Sequence, residues 1–194
     1  MVSINPTILL GAQVQLEPLN QSHFDILNTI AQDQRIWTFT ATNASGENFQ
    51  KWFDKAMDDF QNQDSIPFVV KRLSDQKILG CTRYYHIDTA HHRLSIGYTW
   101  YIPEVWGSFV NPECKYLLLQ HAFESLNINR VEFTIDSRNV RSLAAVKKLG
   151  ATEEGTLRQH MILENGFVRD TVVLSIIQSE WPQIKIKLQE RLEK

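Results

Sequence analysis

The stretch from residue 131 to residue 150, VEFTIDSRNVRSLAAVKKLG, passes from a strand into a helix through one turn. Its first six residues alternate between apolar and polar side chains, which predicts a half-buried strand because successive strand side chains point to opposite faces. The predicted helix has an apolar stripe formed by Leu143, Val146 and Leu149. Gly150 predicts its end, since glycine most easily adopts the left-handed conformation of a C-cap.

The segments on the carboxyl side of this stretch predict a hairpin and a final helix. Residues 157–163 and 167–177 flank Glu164-Asn165-Gly166, and Asn-Gly between two such runs is the strongest short-range hairpin signal. An amphipathic helix is expected after Trp181-Pro182. The chain therefore continues its predicted sheet beyond residue 150 and closes with a helix.

The segments on the amino side predict two helices followed by an antiparallel sheet. A short strand at 14–16 precedes a helix at 21–31, and a second helix carries an aromatic stripe beginning at Phe49, which fits either core packing or a ligand groove. Three antiparallel strands are predicted at 68–70, 78–87 and 94–102. A helix should then begin with Asn111 as its N-cap and Pro112 as its first residue, and run to Leu126.

The resulting order, βααβββαβαββα, predicts one α/β domain of the α+β type over residues 1–194. Apolar residues make up 43% of the chain and charged residues 22%, as in an ordinary globular protein. The net charge of -2 offers no basic field for nucleic acid. The apolar run 8–10 is too short for a signal peptide, and no stretch approaches the roughly 20 apolar residues of a membrane span. We expect a cytoplasmic protein that binds neither nucleic acid nor a membrane.

Two junctions between a strand and a helix are candidates for binding an anion, because a helix N-terminus presents unpaired N–H groups. The first is residues 103–111, PEVWGSFVN, where Gly107 would let the backbone approach a ligand, or would simply permit a tight turn. The second is residues 136–142, DSRNVRS, where Asn139 and Ser142 either cap the helix or bind a ligand. Arg138 and Arg141 add positive charge there that could meet phosphates.

Several segments spread along the chain form a recognisable set. They are residues 10–19 (LGAQVQLEPL), 96–100 (IGYTW), 103–107 (PEVWG) with Asn111, Glu113 and Lys115, then 138–142 (RNVRS), 149–151 (LGA), 154–158 (EGTLR) and 165–171 (NGFVRDT). With them, nearly the whole chain resembles the RimJ/RimL-like branch of the GNAT superfamily, the N-acetyltransferases of ribosomal-protein N-termini.

The resemblance implies a GNAT fold whose mostly antiparallel sheet is splayed between its fourth and fifth strands, with acetyl-CoA bound there and no metal. Asn139 would bind the pantetheine arm, and Ser142 would protonate the departing CoA thiolate. Lys147 and Lys148 could lie near the adenine nucleotide or be solvated. The other implied cofactor residues are Trp100, Tyr101 and Ile102 along the pantetheine arm, and Trp106, Gly107, Ser108, Phe109, Val110 and Asn111 around the pyrophosphate.

Three positions depart from the family pattern. The phosphate loop is usually Gln/Arg-x-x-Gly-x-Gly/Ala, and this chain has Glu104 and Phe109 in it, which predicts weaker cofactor binding or a reshaped loop. Ser95 stands where many relatives have a glutamate that acts as a base through water. The remaining candidate bases are Glu132, Asp136 and His160, of which His160 has the best intrinsic pKa.

The expected reaction is acetyl transfer to a primary amine by direct attack within a ternary complex. The amine is a protein N-terminus or a small molecule; an α-amine costs roughly 1.4 kcal/mol to deprotonate at pH 7, against roughly 4.6 kcal/mol for lysine. Arg83 could hold a substrate carboxylate or form a cross-strand salt bridge, and Trp37 and Phe39 could wall the acceptor pocket or pack in the core.

The alternative function is a binding module that retains acyl-CoA and has lost efficient transfer, which is motivated by Glu104, Ser95 and Phe109. The oligomeric state stays open, with a homodimer as one option. Cys81 and Cys114 have no CxxC spacing, so we expect buried free thiols and no metal or redox site.

Overall fold

The computed structural model describes residues 7–193, which form eight strands and five α-helices. The strands are β1 (Leu9–Leu10), β2 (Val14–Pro18), β3 (Ser65–Arg72), β4 (Ile78–Asp88), β5 (Arg93–Tyr101), β6 (Arg130–Asp136), β7 (Thr152–Ile162) and β8 (Val168–Ile177). The helices are α1 (Phe24–Ala31), α2 (Asn48–Gln61), α3 (Val110–Gln120), α4 (Val140–Lys147) and α5 (Trp181–Leu192). All eight strands form one sheet in the order β1-β2-β3-β4-β5-β6-β8-β7.

The sheet separates two apolar cores because side chains alternate along its strands. On one face, Phe68 of β3 and Val131 of β6 belong to the same core as buried side chains of α3, α4 and α5. On the other face, Val69 packs with α1 and α2. The aromatic stripe of α2 contributes Phe49 and Phe53 to this second core, so its role is mainly core packing.

The strands β5 and β6 pair over only three residues, which opens the sheet in its middle. They are the only parallel neighbours among the described strands, and their last paired residues are Ser95 and Glu132. Beyond this rung β5 continues to Tyr101 beside β4, and β6 continues to Asp136 beside β8. We call this opening the fork. Its inner edges carry backbone groups of β5 and β6 that are not paired with each other.

A bulge in β5 lies beside the fork. Arg83 of β4 faces Gly97 of β5, whereas Cys81, two residues away, faces Trp100, three residues away. The extra residue on β5 interrupts the ladder, and Tyr98 takes a φ of 49°, in the left-handed region. The bulge therefore changes which side chains of β5 face each core just where the two strands part.

The predicted class and order of elements are confirmed, with three corrections. Residues Leu9–Leu10 form an additional strand, so the fourth and fifth strands of the prediction are β5 and β6. The N-cap expected at Asn111 is wrong: the cap is Phe109, and the Ser108 hydroxyl accepts a hydrogen bond from the Val110 amide (3.3 Å) and supports an earlier start. The predicted end at Leu126 is correct only if a π-helical segment, His121–Ser125, is counted with α3.

Candidate active site

The first junction places free backbone amides at the N-terminus of α3. Gly107 has a φ of 77°, and a Cβ built on it would meet no atom within 4 Å. Among residues 7–193, the amides of Gly107, Phe109 and Asn111 donate to no acceptor. The Ser108 hydroxyl donates to the Val105 carbonyl at 2.7 Å and fixes the turn. Free amides at a helix N-terminus are suited to phosphate oxygens.

The side chains of several predicted cofactor residues serve the core. Tyr101, Ile102 and Val110 are buried, so only their backbone can reach a ligand in the fork. Trp100 is buried between Trp37 and Trp52, with ring centroids 5.4 and 5.7 Å away. These placements fit a ligand that pairs with the β5 backbone. They leave the side chains to hold the strand in position.

The two departures in the loop differ in their placement. Phe109 is partly buried and packs against the core beneath α3, so its bulk is taken up by the protein interior. Glu104 is exposed. The Phe109 side chain therefore does not occupy the space in front of the free amides, and the carboxylate of Glu104 is in solvent.

The second junction caps α4 as local hydrogen bonding predicts. The Oδ1 atom of Asn139 accepts a hydrogen bond from the Ser142 amide at 3.0 Å. The Ser142 side chain is half-buried, and its hydroxyl forms no hydrogen bond to any residue that the structure describes. Arg141 lies over the ring of Trp106, 3.9 Å from its centroid, and so connects the two junctions. The residues implied in cofactor binding are thus brought to one end of the fork.

The end of β6 carries an ion-paired carboxylate. Asp136 is buried and accepts two hydrogen bonds from the Arg138 guanidinium, at 3.0 and 2.7 Å, while Arg169 lies 3.9 Å away. Burial raises the pKa of Asp136, but the hydrogen bonds from Arg138 and the charge of Arg169 together lower it by more. The pKa of Asp136 is therefore below its usual value. This makes Asp136 a weak base. Glu132 is also paired, to Arg130 at 2.9 Å.

The remaining predicted catalytic residues lie apart from one another. His160 is exposed on the edge strand β7, with Nδ1 3.1 Å from the Thr171 hydroxyl. Ser95 is buried at the last rung between β5 and β6. Thr171 pairs with Asp136, which places His160 toward the open end of the fork. Ser142, His160 and Ser95 therefore do not form a hydrogen-bonded group.

A tyrosine that we did not predict crosses the fork. The Tyr85 hydroxyl lies 2.8 Å from the Thr134 hydroxyl of β6, and its ring covers Gly97, where a Cβ would lie 2.8 Å away. Burial raises the pKa of Tyr85, so the phenol stays protonated at neutral pH. The available sequence signal was Gly97, a residue without a side chain under the Tyr85 ring, which pairs with Arg83 in the β4–β5 ladder.

A second residue that we did not predict to be functional is a buried lysine, Lys115, which was named only among the positions that match the family. Lys115 of α3 is 4% exposed, and its Nζ donates to the hydroxyls of Thr82 (3.1 Å) and Thr99 (2.7 Å), next to the bulge. Burial lowers its pKa to about 8. Its position beside Cys114 on the apolar face of a helix was the available signal.

A small cavity of about 190 Å³ opens beside the bulge, bounded by α2, β4, β5 and the β7–β8 hairpin. Arg83 and Tyr98 line it, and Glu164 contributes from the hairpin. The nearest carboxylate to Arg83 is Asp59 of α2, at 4.0 Å, so the cross-strand salt bridge is wrong. Trp37 does not line this cavity; it is buried, and its indole N–H donates to the Ala31 carbonyl at 2.8 Å.

The structure also bears on the predicted cysteines, metal ligands, membrane spans and surface lysines. Cys81 and Cys114 are buried free thiols, as expected. Within residues 7–193 no three His, Cys, Asp or Glu side chains are grouped as metal ligands would be. The described helices are each too short or too polar to cross a membrane. Lys147 is paired with Glu153 at 2.7 Å, and Lys148 is exposed.

A sheet that parts between two parallel strands and ends at free amides of the following helix offers a groove for an extended ligand that carries a phosphate group. The family model described as "Acetyltransferase (GNAT) domain" matches residues 13–152, and the chain belongs to this family. GNAT acetyltransferases use acetyl-CoA, and the expectations of an enzyme and of this family are confirmed.

Named relatives agree with this assignment. The chain is 28% identical over 156 residues to YdaF of Bacillus subtilis, provisionally named a ribosomal N-acetyltransferase, with 78% of this chain and 83% of YdaF covered. It is 29% identical over 119 residues to YoaA of the same organism, an uncharacterized N-acetyltransferase, covering 61% of this chain and 66% of YoaA, just under two thirds. A GCN5-related N-acetyltransferase from Brucella melitensis superposes with a TM-score of 0.89 at 30% identity, over 97% of this chain and 86% of that one.

Proposed function

We propose that the protein transfers the acetyl group of acetyl-CoA to a primary amine. The observation that carries this proposal is the fork between β5 and β6, which ends at the free amides of Gly107, Phe109 and Asn111. The unpaired edges can hydrogen-bond an extended pantetheine arm, and the amides can hold its pyrophosphate. Acetyl-CoA supplies an activated thioester there.

The residues of this chain have separate tasks in the proposed reaction. The fork holds the thioester where a neutral amine can attack its carbonyl carbon, so that a C–N bond forms and the C–S bond breaks. Backbone N–H groups beside the bulge stabilise the oxyanion. The half-buried hydroxyl of Ser142 donates a proton to the departing thiolate, and Asn139 keeps Ser142 in place by capping α4.

The acceptor must lose a proton, and His160 is our proposed base. Exchange of one proton each with solvent returns His160 to the neutral form and Ser142 to the hydroxyl, so the reaction balances. Glu132 and Asp136 are both ion-paired, and the pKa of Asp136 is held below its usual value. Histidine is the side chain most often used as a general base in enzymes. His160 lies on the strand beyond Thr171, toward the open end of the fork. Ser95 lies at the closed end, where its hydroxyl can position water or the acceptor.

Binding and transfer can be separated by experiment. Acetyl-CoA should raise the melting temperature, and free thiol should be released when amino acids, polyamines or N-terminal peptides are added. Stabilisation without thiol release from any amine would favour the alternative, a module that binds acyl-CoA without transfer. No stabilisation by acetyl-CoA or longer acyl-CoA would contradict both functions.

Replacing the proposed acid tests its role directly. Ser142→Ala should lower kcat by about 10²-fold, the lower end for a general acid, while acetyl-CoA affinity changes little. Ser125→Ala, at an exposed serine after α3, is the matched control and should keep the wild-type rate. An unchanged kcat in Ser142→Ala would remove this role from the mechanism.

The same proposal includes the organisation of the chain and its location. Residues 1–194 are proposed to be one GNAT domain, which the continuous sheet from Leu9 to Ile177 supports. A cytoplasmic location is proposed as well, and buried free thiols at Cys81 and Cys114 suit a reducing compartment.

A further inference from the structure

The cavity beside the bulge contains a buried guanidinium that lacks hydrogen-bond partners. Arg83 is 4% exposed, yet its side chain donates no hydrogen bond to any residue among 7–193. Its closest anion is Asp59 at 4.0 Å, which is beyond hydrogen-bonding distance. Buried charges are normally paired, so this arrangement is costly unless something else completes it. Burial also lowers the pKa of Arg83, which reports the same cost.

The guanidinium contacts two aromatic rings. It lies 4.3 Å from the Tyr98 ring centroid and 5.5 Å from that of Trp52. Its N–H groups donate to no described residue, so they are available to a planar anion. A carboxylate matches the edge of a guanidinium with two parallel hydrogen bonds.

The carboxylates near the cavity do not neutralise Arg83. Asp59 is already paired with Lys55 at 3.0 Å, so its charge is largely compensated. The other acidic side chains of this surface, Glu47, Asp54 and Asp58, lie on the adjoining depression along α2 and do not line the cavity itself. An acceptor with a carboxylate would meet its missing partner.

The cavity lies next to the fork, because both involve neighbouring residues of β4 and β5. Arg83 pairs with Gly97 of β5. Tyr85, which reaches across the fork to Thr134, is two residues further along β4, about 7 Å away along the strand. A molecule whose carboxylate is held at Arg83 can thus place an amine near the opening. The volume of about 190 Å³ is below the roughly 300 Å³ of ordinary small-molecule pockets, so the group held there must be small.

We propose that the acceptor is a primary amine that also carries a carboxylate, which Arg83 binds in this cavity. The inference rests on the proposed transfer reaction and specifies its acceptor. Two sources share this chemistry: a free amino acid, and a peptide N-terminus whose first residue has an acidic side chain. Both present an amine and a carboxylate a few bonds apart.

The test measures binding of the reaction products, so it does not depend on turnover. N-acetyl amino acids and their carboxamides, which differ only at the carboxylate, are titrated by calorimetry into the protein with CoA present. A second arm uses N-acetyl-aspartyl and N-acetyl-asparaginyl peptide amides. Carboxylates should bind about ten- to hundredfold more tightly than their matched amides, as a charge-assisted bidentate contact predicts. The arm in which this preference occurs identifies the source.

The variants assign the preference to Arg83. Arg83→Gln should bind acid and amide equally, and Arg83→Lys should retain only part of the preference because lysine lacks the planar fork. Arg93→Gln removes an exposed arginine at the start of β5 and should keep the full preference. Urea unfolding and acetyl-CoA binding establish that each variant is folded. If Arg83→Gln does not fold, Arg83→Lys and the wild-type acid and amide pairs decide.

Equal binding of acids and amides by the wild type would overturn the inference, as would a preference that survives in folded Arg83→Gln. Failure of every N-acetyl carboxylate to bind would overturn it too. A different result concerns the transfer reaction itself. If the acids bind through Arg83 and no amine releases thiol from acetyl-CoA, the acceptor site stands and the proposed transfer fails.

Discussion

The buried ammonium of Lys115 should make the stability of this protein rise with pH in the alkaline range. Burial lowers its pKa from 10.5 to about 8, and its partners in the described structure are the uncharged hydroxyls of Thr82 and Thr99. Below about pH 8 the folded protein contains a buried charge that the unfolded chain exposes to water. Between about pH 8 and pH 10.5 the folded form loses this proton while the unfolded form keeps it, so stability increases with pH.

The size of the effect follows from the shift. A pKa of about 8 in the folded protein against 10.5 in the unfolded chain means that the buried charge costs the folded state about 3 kcal/mol at neutral pH. Deprotonation between pH 7 and pH 10 removes about 2 to 3 kcal/mol of this cost. Lys115→Met keeps the length of the side chain and removes the charge. The free energy of unfolding of wild type, relative to Lys115→Met, should therefore rise by about 2 to 3 kcal/mol across that range.

Urea unfolding of both proteins at about pH 7 and pH 10 measures this difference. Subtracting the variant cancels the titration of groups common to both. Lys185→Met is the control, because Lys185 hydrogen-bonds Glu124, which raises its pKa, and its difference from wild type should stay flat below pH 10. A flat difference for Lys115→Met as well would refute the assignment of a low pKa to Lys115.

Two further substitutions test the ion pair at the end of β6 and the phosphate loop. Asp136→Asn leaves the buried Arg169 without its carboxylate and should cost about 3 kcal/mol in urea unfolding near neutral pH, against less than about 1 kcal/mol for the exposed control Glu153→Gln. Because the pKa of Asp136 is lowered, this loss should shrink as the pH falls below about 4, and a loss independent of pH would contradict it. Gly107→Ala should cost about 1 kcal/mol at its φ of 77° and weaken acetyl-CoA binding severalfold, whereas Gly166→Ala at φ 80° should cost the same without changing that affinity. Equal acetyl-CoA affinity in wild type and Gly107→Ala would argue against phosphate binding at this loop.

The order of elements could be predicted because each depends on local patterns. The alternation at 131–136, the stripe ending at Gly150 and the Asn165-Gly166 turn all report on neighbours along the chain. The start of α3 was misplaced because Asn111-Pro112 is a stronger local signal than Ser108. The structure instead begins α3 where the Ser108 hydroxyl meets the Val110 amide and Phe109 packs into the core.

The two halves of the candidate site differ in how far sequence determines them. The proposed cofactor half consists of two short junctions, so Gly107, Asn139 and Ser142 could be singled out from local spacing, and the family resemblance then implied their roles. The acceptor half is assembled from distant segments: Asp59 of α2 and Glu164 of the hairpin reach the cavity of Arg83 only after the sheet has formed. No local pattern indicates that these residues meet.

Acceptor specificity and acetyl-CoA binding should depend on different parts of the chain. Residues of the cavity can change without disturbing the two junctions that we propose bind acetyl-CoA, because they lie elsewhere: on α2 and the residues before it, on β4, at the bulge and on the hairpin. Tyr98 shows how the two halves are joined: its left-handed φ belongs to the bulge beside the fork, while its ring lies 4.3 Å from the Arg83 guanidinium. A substitution at Arg83 should therefore alter which amine is acetylated, whereas one that removes the bulge should impair acetyl-CoA and acceptor binding together.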